Sequence, residues 1–194
     1  IDIALWDIKG KALGLPIWKL LGGGFHKQIR PYASSLWGPT PAATRELAQR
    51  YVDRGFTAVK FGWDPMGQDE KTDIALVREA RKGLGDGPDL LVDAGLVWDA
   101  KTAIQRARAF QEHNIFWLEE PLMPDDYDGY RKLSEAVDVR IAAGEEESNR
   151  LSFIELMDRG KIDIVQVDLT RVGGFTEAMK VASLAVDRGL PVVN

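Results

Sequence analysis

From about Ile29 onward, short apolar runs alternate with longer stretches in which apolar residues recur at helical spacing. The short runs predict strands over Ile29–Ala33, Ala58–Phe61, Leu90–Asp93, Phe116–Glu119, Arg140–Ala143, Ile164–Asp168 and Leu190–Val193. Between them, helices are expected over 40–54, 69–84, 100–113, 126–136, 151–158 and 174–187. Ala103, Ile104, Ala107 and Phe110 share one face of the third, and Phe175, Ala178, Met179, Ala182 and Val186 share one face of the last. Ahead of this series, Ile1, Ala4, Leu5, Ile8 and Ala12 mark a helix that Gly14 ends. Pro16 suits the first turn of a short second helix, closed by Gly22, Gly23 and Gly24. No strand precedes that glycine run, so it reads as helix termination and not as a phosphate-binding loop.

Strand–helix alternation builds βαβ crossovers and a parallel sheet. No Pro-, Gly- or Ser-rich linker divides residues 29–194, which read as one domain behind a helical lead-in over residues 1–28. Two architectures satisfy this pattern: a doubly wound open sheet and a closed eight-stranded barrel. The glycine fingerprint of dinucleotide-binding open sheets follows none of the strands.

The chain of 194 residues carries 25 Lys and Arg against 30 Asp and Glu, a net charge of −5. This balance argues against nucleic acid or an anionic membrane as a partner. No apolar run approaches the roughly 20 residues of a membrane span. The opening residues do not resemble a signal peptide, so a cytoplasmic location is expected. Cysteine is absent, and His26 and His113 are the only histidines, so thiol chemistry and multi-histidine metal sites are out. Chemistry falls to carboxylates and lysine.

Three expected strands end in acids, at Asp93, at Glu119-Glu120-Pro121 and at Glu145-Glu146. Asp93, Glu119 and Glu145 are 26 residues apart in each step, and Asp168 follows 23 residues later. In a β/α barrel the carboxyl ends of all strands meet on the face that carries active sites. Acids so placed repel one another unless a cation sits among them, and Mg²⁺ suits an all-oxygen set with positions left for substrate. Alternation along a strand puts Asp93 on the side of Leu91, Glu119 with Trp117, Glu145 with Ala143, and Asp168 with Gln166. Lys60 points to the same interior, between Val59 and Phe61 on the helix side. It could bind a substrate anion or accept a proton. Asp168 could be a fourth ligand or could orient a histidine on the neighbouring strand. His26 and His113 are poorly placed for that partnership.

Lys60, Asp93, Glu119-Glu120-Pro121, Gly144-Glu145 and Asp168 through Gly173-Gly174, in this order, resemble the enolase superfamily, mandelate racemase subgroup. The opening Ala4 to Lys11 and Leu20 to Gly23 look like the same subgroup's entry into its barrel. The resemblance implies an α/β fold, a (β/α) barrel of which about six βα units and the start of a seventh strand are present. A whole barrel takes about 250 residues, and the resemblance adds an N-terminal capping domain, so the chain is expected to be part of a longer polypeptide. It further implies Asp93, Glu119 and Glu145 as Mg²⁺ ligands and Lys60 and Asp168 as catalytic groups; Glu120 has the wrong parity for a ligand if Glu119 is one, and reads as a supporting residue. The substrate would be a carboxylate whose α-proton is removed to give an enediolate. A homo-oligomer is also implied.

Two departures bear on the reaction. Racemases of the subgroup carry Lys-x-Lys on the second strand, whereas this chain has Lys60-Phe61-Gly62 and so lacks the second lysine base. Gly95 stands where many relatives have asparagine. With the subgroup's other base, a histidine paired to Asp168, expected directly after Asn194, a single base suits β-elimination of water. The expectation is a sugar acid dehydratase giving a 2-keto-3-deoxy acid. The alternatives are a racemase, epimerase or other enolase-type lyase, and a non-catalytic metal-binding barrel.

Overall fold

A computed structural model describes residues 1–24 and 26–193. Two helices, α1 (Asp2–Leu13) and α2 (Ile17–Leu20), lead into β1 (Ala33–Leu36), α3 (Pro41–Asp53), β2 (Ala58–Gly62) and α4 (Glu70–Leu84). The alternation continues through β3 (Asp89–Asp93), α5 (Ala100–Gln111), β4 (Ile115–Glu119), α6 (Tyr127–Ala136) and β5 (Arg140–Ala143). It ends with α7 (Arg150–Asp158), β6 (Ile164–Gln166), α8 (Phe175–Asp187) and β7 (Val192–Val193). All strand pairs are parallel, and the sheet order β1-β2-β3-β4-β5-β6-β7 follows the chain. This sequential order belongs to a barrel, not to a doubly wound sheet, in which the order reverses.

Each strand sorts its residues between two cores. Val59, Phe61, Leu90, Val92, Leu118, Ile141, Ala143 and Val165 join the large cluster under the helices. Ala58, Leu91, Trp117, Ala142 and Ile164 form a smaller interior cluster, and both Tyr32 and Val193 pack on it. Residues flanking the first strand and within the last thus touch one interior core, so the sheet curls around it as a partial barrel. A register shift between Leu90 and Leu91 lets Phe116 and Trp117 both reach that interior.

Three strands depart from the sequence pattern by more than one residue. β1 begins at Ala33, not Ile29: Pro31 has no N–H to donate, and Arg30 reaches Thr57 and Asp89 instead. β6 stops at Gln166 because the Asp168 carboxylate accepts from the Thr170 and Arg171 N–H groups and turns the chain. β7 begins at Val192, since the Leu190 N–H bonds back to Ala185 at the end of α8.

Helix starts are written locally. Thr40, Asp69, Asp99, Asp126 and Asn149 each accept from a first-turn N–H, capping α3 to α7. For α8 the acceptor comes from far along the chain: Asp2 Oδ2 takes the Thr176 N–H at 3.0 Å, and Trp6 Nε1 donates to Thr176 Oγ1 at 2.9 Å. Gly174 makes room, since a Cβ there would lie 2.4 Å from Asp2 Oδ2. The lead-in helix is therefore tied to the barrel at the mouth end of α8. Among the described residues, no helix is long and apolar enough to cross a membrane.

Between α4 and α5, the fully buried Asp73 accepts from Arg106 Nε at 2.9 Å and from the Gly67 N–H at 2.7 Å. Asp73→Ala would leave the buried Arg106 guanidinium with only the exposed Glu70, 3.4 Å away, and urea unfolding is expected to show a loss of about 3 kcal/mol. A separate expectation concerns acid. Asp69 and Asp99 are held below the usual aspartate value by hydrogen bonds from Thr72 and Thr102, and Asp158 by Arg188. Carboxylates depressed in the folded state stabilise it above the unfolded value near 3.8 and cease to do so as pH falls through the folded values. Melting temperature should therefore drop below about pH 4, and Asp69→Asn, which caps without titrating, should flatten part of that drop.

Candidate active site

β2, β3 and β4 end level with one another, because Gly62 pairs with Asp93 and Asp93 with Glu119. One step inside the barrel lies Lys60, 9% exposed, beside Leu91 in register. Its ammonium donates to Glu119 Oε1 and stands 3.6 Å from Asp93 Oδ2. Glu119 is fully buried, and its second oxygen accepts from Trp117 Nε1 at 2.9 Å. Asp93 Oδ1 takes the Gly95 N–H at 2.9 Å. Lys60, Asp93 and Glu119 therefore form one ion-paired unit on the interior side that strand alternation predicts.

Burial works to lower the Lys60 ammonium, but the Glu119 and Asp93 carboxylates outweigh it and hold it above the ordinary lysine value. As a permanent cation, it suits anion binding better than proton transfer. Asp93 is pushed up to about 7 by burial and by repulsion from Glu119, against the pull of Lys60.

Glu145 reaches this site by a different route from the one alternation suggests. Ala143 faces the helices with Ile141, so continuing the pleat from Ala143 would not carry the side chain inward. Gly144 at φ 127° reverses the course of the chain instead. Glu145 then lines the mouth cavities with Lys60, Asp93 and Asp168, and burial followed by Glu119 raises its carboxyl. A Cβ on Gly144 would lie 2.6 Å from both the Gln166 carbonyl and the Phe153 ring, so β5 and β6 close on glycine alone.

Glu120 is more involved than its parity implies. At φ 39° it leaves the pleat, and its carboxylate accepts from the Gly144 N–H at 3.3 Å. Oxygens of Glu120, Glu145 and Glu146 lie within 4.8 Å of one another. Burial and the nearby Glu145 push Glu120 up to about 8. Arg171 pairs with Glu146, joining the loops after β5 and β6. Glu120, Glu146 and Arg171 were not singled out by spacing, because alternation assumes that the pleat continues past the strand end. The glycine at 144 was the available signal that it does not.

Asp168 lies beyond β6 on the wall of the cavity of about 280 Å³ that also includes Tyr32, Lys60, Glu145 and Gln166. The Thr170 hydroxyl, then the Arg171 and Thr170 N–H groups, hold its carboxylate below the usual range. It is thus an anion at pH 7 on the strand beside β7. Asn194 and the histidine expected next to it lie outside the described residues.

The donor set fits a divalent cation. Among the described residues, Asp93, Glu119, Glu120, Glu145, Glu146 and Asp168 bring six carboxylates to one rim against two cations, Lys60 and Arg171. Burial first, and then repulsion from neighbouring carboxylates, raises Asp93, Glu120 and Glu145. A hard ion with oxygen ligands would relieve that repulsion.

Two family models match the chain. "Enolase C-terminal domain-like" covers residues 43–194, and "Mandelate racemase / muconate lactonizing enzyme, N-terminal domain" covers residues 1–22. The chain belongs to the enolase superfamily, in its mandelate racemase group. It is 34% identical to the D-gluconate dehydratase of Thermoproteus tenax over 95% of this chain and 39% of that protein. It is 33% identical to the D-gluconate/D-galactonate dehydratase of Picrophilus torridus, over 97% of this chain and 50% of the relative. The crystal structure of the 3,6-anhydro-D-galactonate cycloisomerase from Zobellia galactanivorans superposes with a TM-score of 0.90 at 37% identity. That match covers 99% of this chain and 53% of the cycloisomerase. The chain spans about half the length of these relatives or less.

For a superfamily member, Gly62 is informative. A Cβ there would lie 2.6 Å from Asp93 Cβ, so a side chain at this position requires Asp93 to move. Gly144 is equally constrained. Gly144→Ala is expected to cost about 2–3 kcal/mol through overpacking and to weaken divalent-ion binding by displacing Glu145. Urea unfolding and titration calorimetry with Mg²⁺ measure the two effects.

Proposed function

We propose that the protein is a Mg²⁺-dependent sugar acid dehydratase that removes the α-proton of a carboxylate substrate and then eliminates water. The observation that carries this reading is the Lys60–Asp93–Glu119 unit facing Glu145 and Asp168 across one barrel mouth. In this proposal Asp93, Glu119 and Glu145 hold the ion. Bound there, Mg²⁺ supplies positive charge to the substrate carboxylate as the α-carbon loses its proton.

The chain's own groups supply the rest. Lys60 donates a hydrogen bond to the substrate carboxylate, a stronger interaction once that group carries the charge of an enediolate. Trp117 fixes the Glu119 carboxylate, and the Gly95 N–H fixes Asp93, so neither has to reorganise during the reaction. Asp168, kept anionic, orients the expected histidine and stabilises its protonated form. That histidine takes the α-proton and returns a proton to the leaving β-hydroxyl, which departs as water. The enol left behind tautomerises to the 2-keto-3-deoxy acid. With glycine at position 62, no second base stands on β2, which fits elimination better than racemisation.

The names of the Thermoproteus and Picrophilus dehydratases support a sugar acid as substrate. The Zobellia relative supports cycloisomerisation as a second reading. A cytoplasmic homo-oligomer goes with either.

The test is a screen of the full-length polypeptide with Mg²⁺ against aldonic, aldaric and anhydro-aldonic acids, scoring 2-keto acid formation. The expected outcome is one or a few sugar acids converted to 2-keto-3-deoxy products, abolished by EDTA. Asp93→Asn and Glu145→Gln should each lower kcat/KM by about 10³-fold or more. Exchange of the α-hydrogen with solvent deuterium, without loss of water, would replace the dehydratase reading with a racemase or epimerase.

A further inference from the structure

Trp63 follows directly on β2 and is the one large apolar side chain on the wall of the second mouth cavity that is more than half exposed while held in left-handed backbone. Its φ is 69°, a conformation that bulky residues rarely adopt. Such backbone persists where the surroundings over-determine it, and these can be named. The Trp63 carbonyl accepts from the Met66 N–H at 2.9 Å, and Met66 is buried. Next along, the Gly67 N–H is held by Asp73, itself fixed by Arg106. Gly67 packs so tightly on Val97 that a Cβ would lie 2.5 Å from Val97 Cγ2. The loop is anchored at both ends, and the exposed indole is its result.

The position matters for the same reason. Gly62 can place no side chain at the mouth beside Asp93, so that flank is walled by the next residue instead. The Trp63 ring lies 3.6–3.7 Å from where a Cβ on Gly95 would be, across the top of β3. A side chain at position 95 would thus begin in ordinary contact with the indole. The cavity, about 320 Å³, is lined by the charged Lys60, Asp93 and Glu145, by Ser34, Ser35 and Leu36 of β1, and by Gly62 and Trp63 at the end of β2. It is amphipathic in the way that a polyhydroxy acid is: carboxylate at one end, hydroxyls along one edge, and a C–H face that aromatic rings cover well.

We propose that Trp63 is a specificity-determining residue, whose indole packs against the C–H face of the substrate's carbon chain beyond the reacting carboxylate. The inference rests on the sugar acid reading above.

The experiment uses the full-length protein and the sugar acid it converts fastest. Trp63→Ala is expected to raise KM about tenfold or more, with kcat within about threefold, the pattern for contacts equal in ground and transition states. Trp63→Phe keeps a flat face and should stay near wild type, whereas Trp63→Leu should behave like alanine. The Phe and Leu pair decides the matter if the alanine variant does not fold. Glycolate, an α-hydroxy acid without the carbon chain, should inhibit wild type and variants equally, and Mg²⁺ affinity should not change.

Unchanged KM in the leucine variant overturns the proposal, whether or not its melting temperature falls, because Trp63 is then packing alone. Parallel weakening of glycolate and Mg²⁺ overturns it too, since the residue would then act at the metal end. If wild type converts no sugar acid, the dehydratase reading fails on its own. Trp63 is then judged by calorimetric binding of D-gluconate with Mg²⁺: a tenfold weakening in the leucine variant supports its role, and equal or absent binding overturns it.

Discussion

One buried ammonium organises the mouth of this barrel. Lys60 is carried inward by β2 into a region where β3 and β4 present Asp93 and Glu119, and it bonds the second while standing close to the first. Charge of this density survives burial only when opposite charges meet at short range, so Lys60 offsets two carboxylates that repel each other, and they in turn hold its charge. Six carboxylates against two cations nevertheless leave the rim short of positive charge, and burial together with their mutual repulsion raises the Asp93, Glu120 and Glu145 carboxyls. A site built this way is disposed towards a divalent cation and an anionic substrate together, which is the logic of enolase-superfamily chemistry.

The parallel sheet makes this arrangement inexpensive to assemble. Its register places Gly62, Asp93 and Glu119 abreast, so acids separated by a full βα unit become neighbours without any special loop. Beneath them, the interior cluster of Ala58, Leu91, Trp117, Ala142 and Ile164 supplies an apolar floor, and Trp117 belongs to both layers through its bond to Glu119. The outer shell is tied by local caps on α3 to α7, while α8 depends on Asp2 of the lead-in helix. The start of the chain is thereby coupled to the loop that carries Asp168.

Much of this was legible beforehand. Alternation along β2, β3 and β4 assigned Lys60, Asp93 and Glu119 to one interior, because inside a regular strand the side-chain period is fixed at two. It failed where strands end. Glu120 at φ 39° and Glu145 behind Gly144 at φ 127° sit on backbone that has left the pleat, so counting by twos does not describe the first and explained the second wrongly. β1 was shifted for a related reason. Its Ala33-Ser34-Ser35-Leu36 run has no apolar alternation to read, and Arg30 and Pro31 mimic the edge of a strand without pairing as one.

The sequence by itself determined the series of βα units, their caps, the acids at strand ends and the missing second lysine. All of these are local properties, set by spacing, by side-chain type and by the backbone preferences of single residues. Tertiary structure alone decided that Glu120 and Glu146 join Glu145 at the rim, that Arg171 bridges two loops through Glu146, that Asp2 reaches α8, and that Trp63 takes the flank Gly62 leaves open. Those outcomes depend on distances across strands and loops, where a few tenths of an ångström between a glycine and its neighbour determine what a side chain can face.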